Sequence, residues 1–212
     1  MGMDVYGRNP KQNKPIEAFP TYHKYTMMEK SDKGDNIDGF KQKWKELDAN
    51  EELRNQFWKE HTDYEEANPG VYFRNSVWGW RPLWQFVCER FDYILTDEDR
   101  ECGEYNDGHV ISEDVAMEIG VELTAMLESG RIQEYSDRHK AELDALEQLE
   151  CDICDGTGNR QEPPKTGAGD VSCNGCSGTG LKDDWAKSYP FDVENVREFA
   201  KFCLESGGFE IW

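Results

Sequence analysis

Positive charge is scarce in this 212-residue chain, where 24 Lys and Arg stand against 44 Asp and Glu for a formal net charge of -20. A nucleic-acid backbone is bound chiefly by cations that displace its counterions, so this balance argues against nucleic acid as a direct ligand. Long apolar runs are also missing. Nothing approaches the ~18 to 20 consecutive residues that span a bilayer, and the sequence does not open on an apolar segment of the secretory type. A soluble, cytoplasmic protein is the expectation. Tyr6 stands where a myristoylation motif after Gly2 would need Ser or Thr, so no lipid anchor is expected. There are only four histidines, and no phosphate loop, dinucleotide fingerprint, nucleophile elbow or metalloprotease pair occurs.

What the chain does have is aromatic bulk. Although 32% of its residues are charged, 12% are aromatic and seven are Trp, too many large apolar groups for a chain that stays unfolded. A small aromatic core under a charged skin follows. The charge is uneven: positions 97–150 hold seventeen acids and four bases, a net -13, whereas positions 1–45 are net +3.

Apolar periodicity divides the chain. Met3 and Val5 alternate in a short strand, and Phe209 to Trp212 alternate in another, which is expected to pair with the first near Val5 and Ile211. Residues 7–39, rich in Pro, Lys and Gly, read as an extended, irregular arm. Two helices follow, one after Asp38 as cap and one after Asn50. A strand around Val71 to Phe73 precedes a helix opening near Pro82 whose buried stripe is Leu83, Phe86, Val87, Arg90, Phe91 and Ile94. Positions 96–108 read as a loop. Ser112 caps a helix with Val115, Ile119, Leu123, Met126 and Leu127 on its apolar face, and Gly130 stops it. A further helix, carrying Ile132 through Leu149, is read as running directly into Cys151. Asp192 caps the last helix, with Phe191 and Val196 as its hydrophobic staple.

Four of the seven cysteines fall in two pairs, CDICDGTG from Cys151 and CNGCSGTG from Cys173. Each Cys-x-x-Cys brings two thiolates to one side of a tight turn, and two such turns complete a tetrahedral sulfur shell. Eighteen residues separate Cys154 from Cys173, within the roughly 15 to 20 that mark a zinc site. One structural zinc ion on Cys151, Cys154, Cys173 and Cys176 is the expectation; four thiolates leave no open position for water, which argues against catalysis at the metal. Both phrases match the CxxCxGxG repeat of the DnaJ-type zinc-finger domain, with Cys151, Cys154, Gly156 and Gly158 in one and Cys173, Cys176, Gly178 and Gly180 in the other. In that family four repeats bind two zinc ions and help handle unfolded clients. This chain has two repeats and no His-Pro-Asp triplet of the J domain, so the resemblance implies a zinc-binding hairpin. The opening MGMDVYGRNP, the internal YFRNSVWGWRPLW and the closing NVREFAKFCLESGGFEIW also resemble a group of uncharacterised bacteriophage and bacterial proteins, which implies an accessory protein acting on a host factor.

Three further groups are candidates. Asp114, Glu118 and Glu122 recur at i, i+4 and i+8 and share one helix face, which can hold a hard cation or imitate a row of phosphates toward a protein partner, though most such rows are merely solvated. Arg74, Trp78, Trp80 and Arg81 can be read as a cation–π ligand cluster or as core packing. Arg160 and Lys165, between the cysteine pairs, are candidate partner contacts. Cys88, Cys102 and His109 are a weaker second metal group.

The sequence therefore reads as α+β and mainly helical, with a small terminal β-sheet and an inserted zinc hairpin. Residues 1–150 form an acidic, aromatic-cored domain, 151–182 the hairpin, and 183–212 a helix and strand that return to the first domain. The function expected is non-enzymatic: an acidic, zinc-stabilised protein, read as a phage accessory protein, that binds and inhibits or modulates a basic host protein, even by imitating nucleic acid. The alternatives are a zinc-finger client-binding or assembly factor, and an enzyme or small-ligand binder using the Trp/Arg cluster.

Overall fold

The computed structural model describes residues 2–27, 30–31, 34–35, 37–160 and 171–212. Along the chain run β1 (Gly2–Gly7), α1 (Pro20–Thr26), β2 (Lys30–Ser31), β3 (Gly34–Asp35), α2 (Ile37–Ala49), α3 (Glu51–Ala67), β4 (Tyr72–Ser76) and α4 (Val77–Arg90). There follow α5 (Asp97–Cys102), β5 (His109–Ile111), α6 (Glu113–Glu128), α7 (Arg131–Asp144), β6 (Leu149–Glu150), β7 (Leu181–Lys182), α8 (Val193–Glu205) and β8 (Phe209–Ile211). The fold is α+β and mainly helical.

Four strands make the main sheet in the order β4-β1-β8-β5, all neighbours antiparallel. Val5 pairs with Ile211, as alternation at the two ends of the sequence predicts, and on its other side with Phe73. Because alternate side chains of a strand point to opposite faces, Met3, Val5, Phe209 and Ile211 are all buried on one side. Phe199 and Phe202 of α8 meet Phe73 and Phe209 there, at ring separations of 5.3 to 5.8 Å. The other face is wet and carries the ion pairs Arg8–Glu210 and Arg74–Asp4.

Helix α4 differs from its sequence reading. Ser76 caps it by accepting from the Gly79 N–H at 3.2 Å, and Pro82 lies inside it. The earlier start brings Trp80 into the buried stripe; Trp84 also belongs to it, and Arg90, expected there, is exposed. Both indoles are stacked, with centroids 5.3 Å apart, and both need hydrogen-bond acceptors. Trp80 Nε1 donates to the Gly103 carbonyl at 2.8 Å and Trp84 Nε1 to that of Arg100 at 3.3 Å. Those carbonyls belong to the stretch read as a loop, which is instead folded into α5 by a reciprocal Thr96–Asp99 capping box.

The arm is also more ordered than expected. Residues 8–11 run beside the end of α8, donating from the Arg8, Asn9 and Lys11 N–H groups to the carbonyls of Gly208, Ser206 and Glu205. The fully buried Asn68 side chain then clamps the Lys14 backbone through both its oxygen and its nitrogen. Helix α1 follows within the stretch read as irregular. With α2 and α3 it builds a second apolar cluster of Tyr25, Leu47 and Phe57, separate from the main core. This helical unit is therefore an insertion between paired strands β1 and β4.

Helix α7 stops at Asp144 instead of continuing to Cys151. Leu149 belongs to β6, which pairs with β7 and closes the base of the cysteine hairpin. Leu146 and Leu149 extend the apolar period by coincidence. Leu149 is exposed.

Candidate metal centre and the surfaces around it

Cys151, Cys154, Cys173 and Cys176 are all buried, and their sulfurs lie within 4.8 Å of one another. They form an apolar cluster of their own, apart from both helical cores. Among the described residues this is the one group of three or more His, Cys, Asp or Glu placed to hold a metal ion.

The two repeats build the site as near copies. Gly156 N–H donates to the Cys151 carbonyl at 3.2 Å and Gly178 N–H to that of Cys173 at 3.0 Å. The copies then grip each other, Cys151 N–H donating to the Gly180 carbonyl at 2.9 Å and Cys173 N–H to that of Gly158 at 2.8 Å. That exchange requires glycine. Gly158 and Gly180 have φ of 72° and 80°, and a Cβ on either would come within 2.3 and 2.1 Å of a carbonyl oxygen of the opposite repeat. Asp155 and Ser177, at the same place in each copy, also take positive φ. Thr157 and Thr179 support the two turns. Each hydroxyl donates to the carbonyl of the preceding cysteine, at 2.6 and 2.7 Å. Their signal in the sequence is that both phrases end Gly-Thr-Gly.

Charge is managed by backbone N–H groups. Burial would raise the Cys176 thiol, but the Gly180 N–H, 3.2 Å from its sulfur, together with the neighbouring thiols and the Gly178 N–H, lowers it to about 7. Cys154 is pushed up to about 12 by burial and by the adjacent sulfurs, against the Gly158 N–H. One sulfur readily ionised at Cys176, with three more cysteine sulfurs within 4.8 Å, is an arrangement that a thiophilic cation would complete. Elsewhere burial pushes Cys88 up to about 12 and also raises Cys102, so both favour the thiol form. His109, their suggested partner, bonds Asp99 through Nε2 at 2.8 Å instead.

The other candidates separate. Asp114 and Glu118 are exposed on α6 and Glu122 is half-buried beside them. Tyr93 donates its hydroxyl to Glu118 at 3.3 Å, and its own pKa is raised by burial and then by Glu118 and Glu122. Arg74, Trp78, Trp80 and Arg81 do not converge. Trp80 is in the core, Arg74 pairs with Asp4 at 3.7 Å and shares an acid-lined recess with Trp78, and Trp78 and Arg81 meet at Tyr189. Arg160 is half-buried just past the Asn159–Ser172 bridge, its N–H donating to the Val171 carbonyl at 2.7 Å. Lys165 lies outside the described residues. No helix of the described residues is long and apolar enough to cross a membrane. Among known proteins, no family model matches this chain, and no curated protein and no solved structure matches it either.

Proposed function

We propose that the chain is a non-enzymatic protein, clasped by one zinc ion, that binds a basic protein surface through the solvent face of α6. The composition of that face carries the reading. Asp114, Glu118 and Glu122 line it, and among them stand Met117 and Val121, 43% and 51% exposed. Exposed apolar side chains are common, but here two of them sit one turn apart on one helix among three acidic residues, an apolar centre with a charged rim. Carboxylates steer and orient a basic partner, and apolar groups enclosed by charge add the burial that holds it. A partner whose basic face ordinarily receives nucleic acid would be blocked by such contact.

Zinc fits the sulfur cage. Bonds of about 2.3 Å from a tetrahedral ion to four sulfurs set the sulfurs roughly 3.8 Å apart. The facing pairs, Cys151 with Cys173 and Cys154 with Cys176, stand at 3.9 and 3.7 Å. Both are far beyond the ~2.05 Å of a disulfide. With four protein ligands the ion's role is structural.

The test is affinity capture at low and at moderate salt, comparing the wild type with an Asp114→Lys, Glu118→Lys, Glu122→Lys variant. A basic protein should be retained by the wild type, released by salt and not retained by the variant. Equal retention by both would contradict the reading. A second reading makes the hairpin the recognition surface, favoured by Ile153, Val171 and Leu181, each 46 to 58% exposed. It requires Ile153→Ser to lose the partner while zinc stays bound.

A further inference from the structure

The surface recess between α4, α7 and the 3-10 turn Trp185–Ser188 has a composition at odds with the rest of the molecule. Its volume is about 360 Å³, and it is lined by Arg81, Gln85, His139, Leu143, Trp185 and Tyr189 among others, with no carboxylate. Four other recesses, of about 260 to 380 Å³, all include Asp or Glu. In a chain with 44 acids, a cleft with none is a local reversal of sign.

Its walls are preassembled. Trp78 touches Trp185 and Tyr189 at ring separations of 4.9 and 5.0 Å. The Tyr189 hydroxyl oxygen accepts from Arg81 Nη1 at 2.7 Å and from Trp185 Nε1 at 3.3 Å, so one atom fixes both the cation and the indole. Trp185 is nonetheless 65% exposed and belongs to none of the buried clusters. A large ring fixed by its neighbours and open to water at the edge of a cleft suits a ligand. Arg81 has no carboxylate partner among the described residues and keeps donors beyond the one given to Tyr189. His139 bonds the Tyr189 carbonyl through Nε2 at 2.9 Å, which places a proton there and leaves Nδ1 as an acceptor in the neutral ring.

We propose that this cleft binds a small molecule consisting of a planar aromatic ring that bears one anionic group. The ring lies against Trp185 and the anion meets Arg81. The volume falls at the small end of the ~300 to 1,000 Å³ typical of ligand sites, which fits a single ring system with its substituent. The proposal is independent of the α6 reading.

The experiment is a titration of the ¹⁵N-labelled, zinc-loaded full chain with adenosine monophosphate, adenosine and indole-3-carboxylate, following the indole N–H signals of Trp185 and of its neighbour Trp78, the latter also in the variant that lacks Trp185. A saturable shift with the nucleotide, the aromatic acid or both is expected, and which of them binds identifies the source of the anion. Arg81→Gln should weaken the anionic probes about tenfold and leave adenosine unchanged. Trp185→Ala should abolish binding; because Trp185 is exposed, the fold should persist, as checked by unmoved Trp80 and Trp84 indole signals. No saturable shift with millimolar probe, or affinities unaltered by both substitutions, would overturn the proposal.

Discussion

The metal centre depends on two glycines as much as on four cysteines. Alanine at Gly158 or Gly180 would place a methyl against a carbonyl of the opposite repeat, as well as straining a left-handed backbone. Gly178, also at positive φ, has nothing closer than 3.7 Å at that position. Gly158→Ala and Gly180→Ala should therefore lose stoichiometric zinc, whereas Gly178→Ala should retain it at a cost of about 1 to 2 kcal/mol, as read by a colorimetric zinc assay and thermal melts. Asp99 is a second single-residue control point. Burial would raise its carboxyl, but hydrogen bonds from Thr96 and His109 outweigh this and hold it below the usual range. A depressed carboxyl stabilises the fold above its ordinary pKa, and that contribution is lost as pH falls through the lowered folded value. Near-UV circular dichroism of the docked Trp80 and Trp84 should therefore fade on acidification, and Asp99→Asn should flatten that response while weakening the signal at neutral pH. Caps at Asn50, Ser112 and Asp192 were legible because each polar residue precedes an apolar period. The Thr96–Asp99 box was not, because an acidic helix of six residues has almost no apolar period to announce it.

Among the elements, β1 and β8 are the inner strands of the main sheet, so its closure depends on residues from opposite ends of the sequence meeting. Ile211, fully buried and paired with both Val5 and His109, shows this dependence. Ile211→Ala should cost about 2 to 5 kcal/mol, measured by urea unfolding, whereas Leu181→Ala on the exposed hairpin ladder should barely register. Alternation made β1 and β8 readable. Strand β5 is not legible in the sequence because three residues following an acidic, Gly-containing stretch carry too little pattern, and β6 reads as part of α7 because its leucine continues the helical spacing. The start of α4 was misplaced for a related reason: Pro82 imitates a first turn, while the operative signal was Ser76, six residues earlier.

Taken whole, the molecule has a sheet-and-helix body, a small helical insertion with its own aromatic cluster, and a clasped hairpin whose cysteines form a third buried cluster. The hairpin's ligands come from its own two repeats, and its base is closed by a two-residue ladder and an Asp152–Lys182 ion pair at 2.6 Å. Metal removal should therefore release the hairpin and leave the body folded: chelation should abolish hydrogen-exchange protection at Cys151 and Cys173 but not in α6 or α8. The clasp was readable at the level of individual ligands because a metal site is written in local spacing. The acid-free cleft was not, because its walls come from three separated segments. If the clasp is structural and recognition belongs to α6, these two roles must be separable. The most direct measurement is the affinity for the captured basic partner before and after the metal is chelated. An affinity that survives chelation but is lost when Asp114, Glu118 and Glu122 are changed to Lys is the predicted result; loss of binding on chelation, with the body still folded, would contradict it.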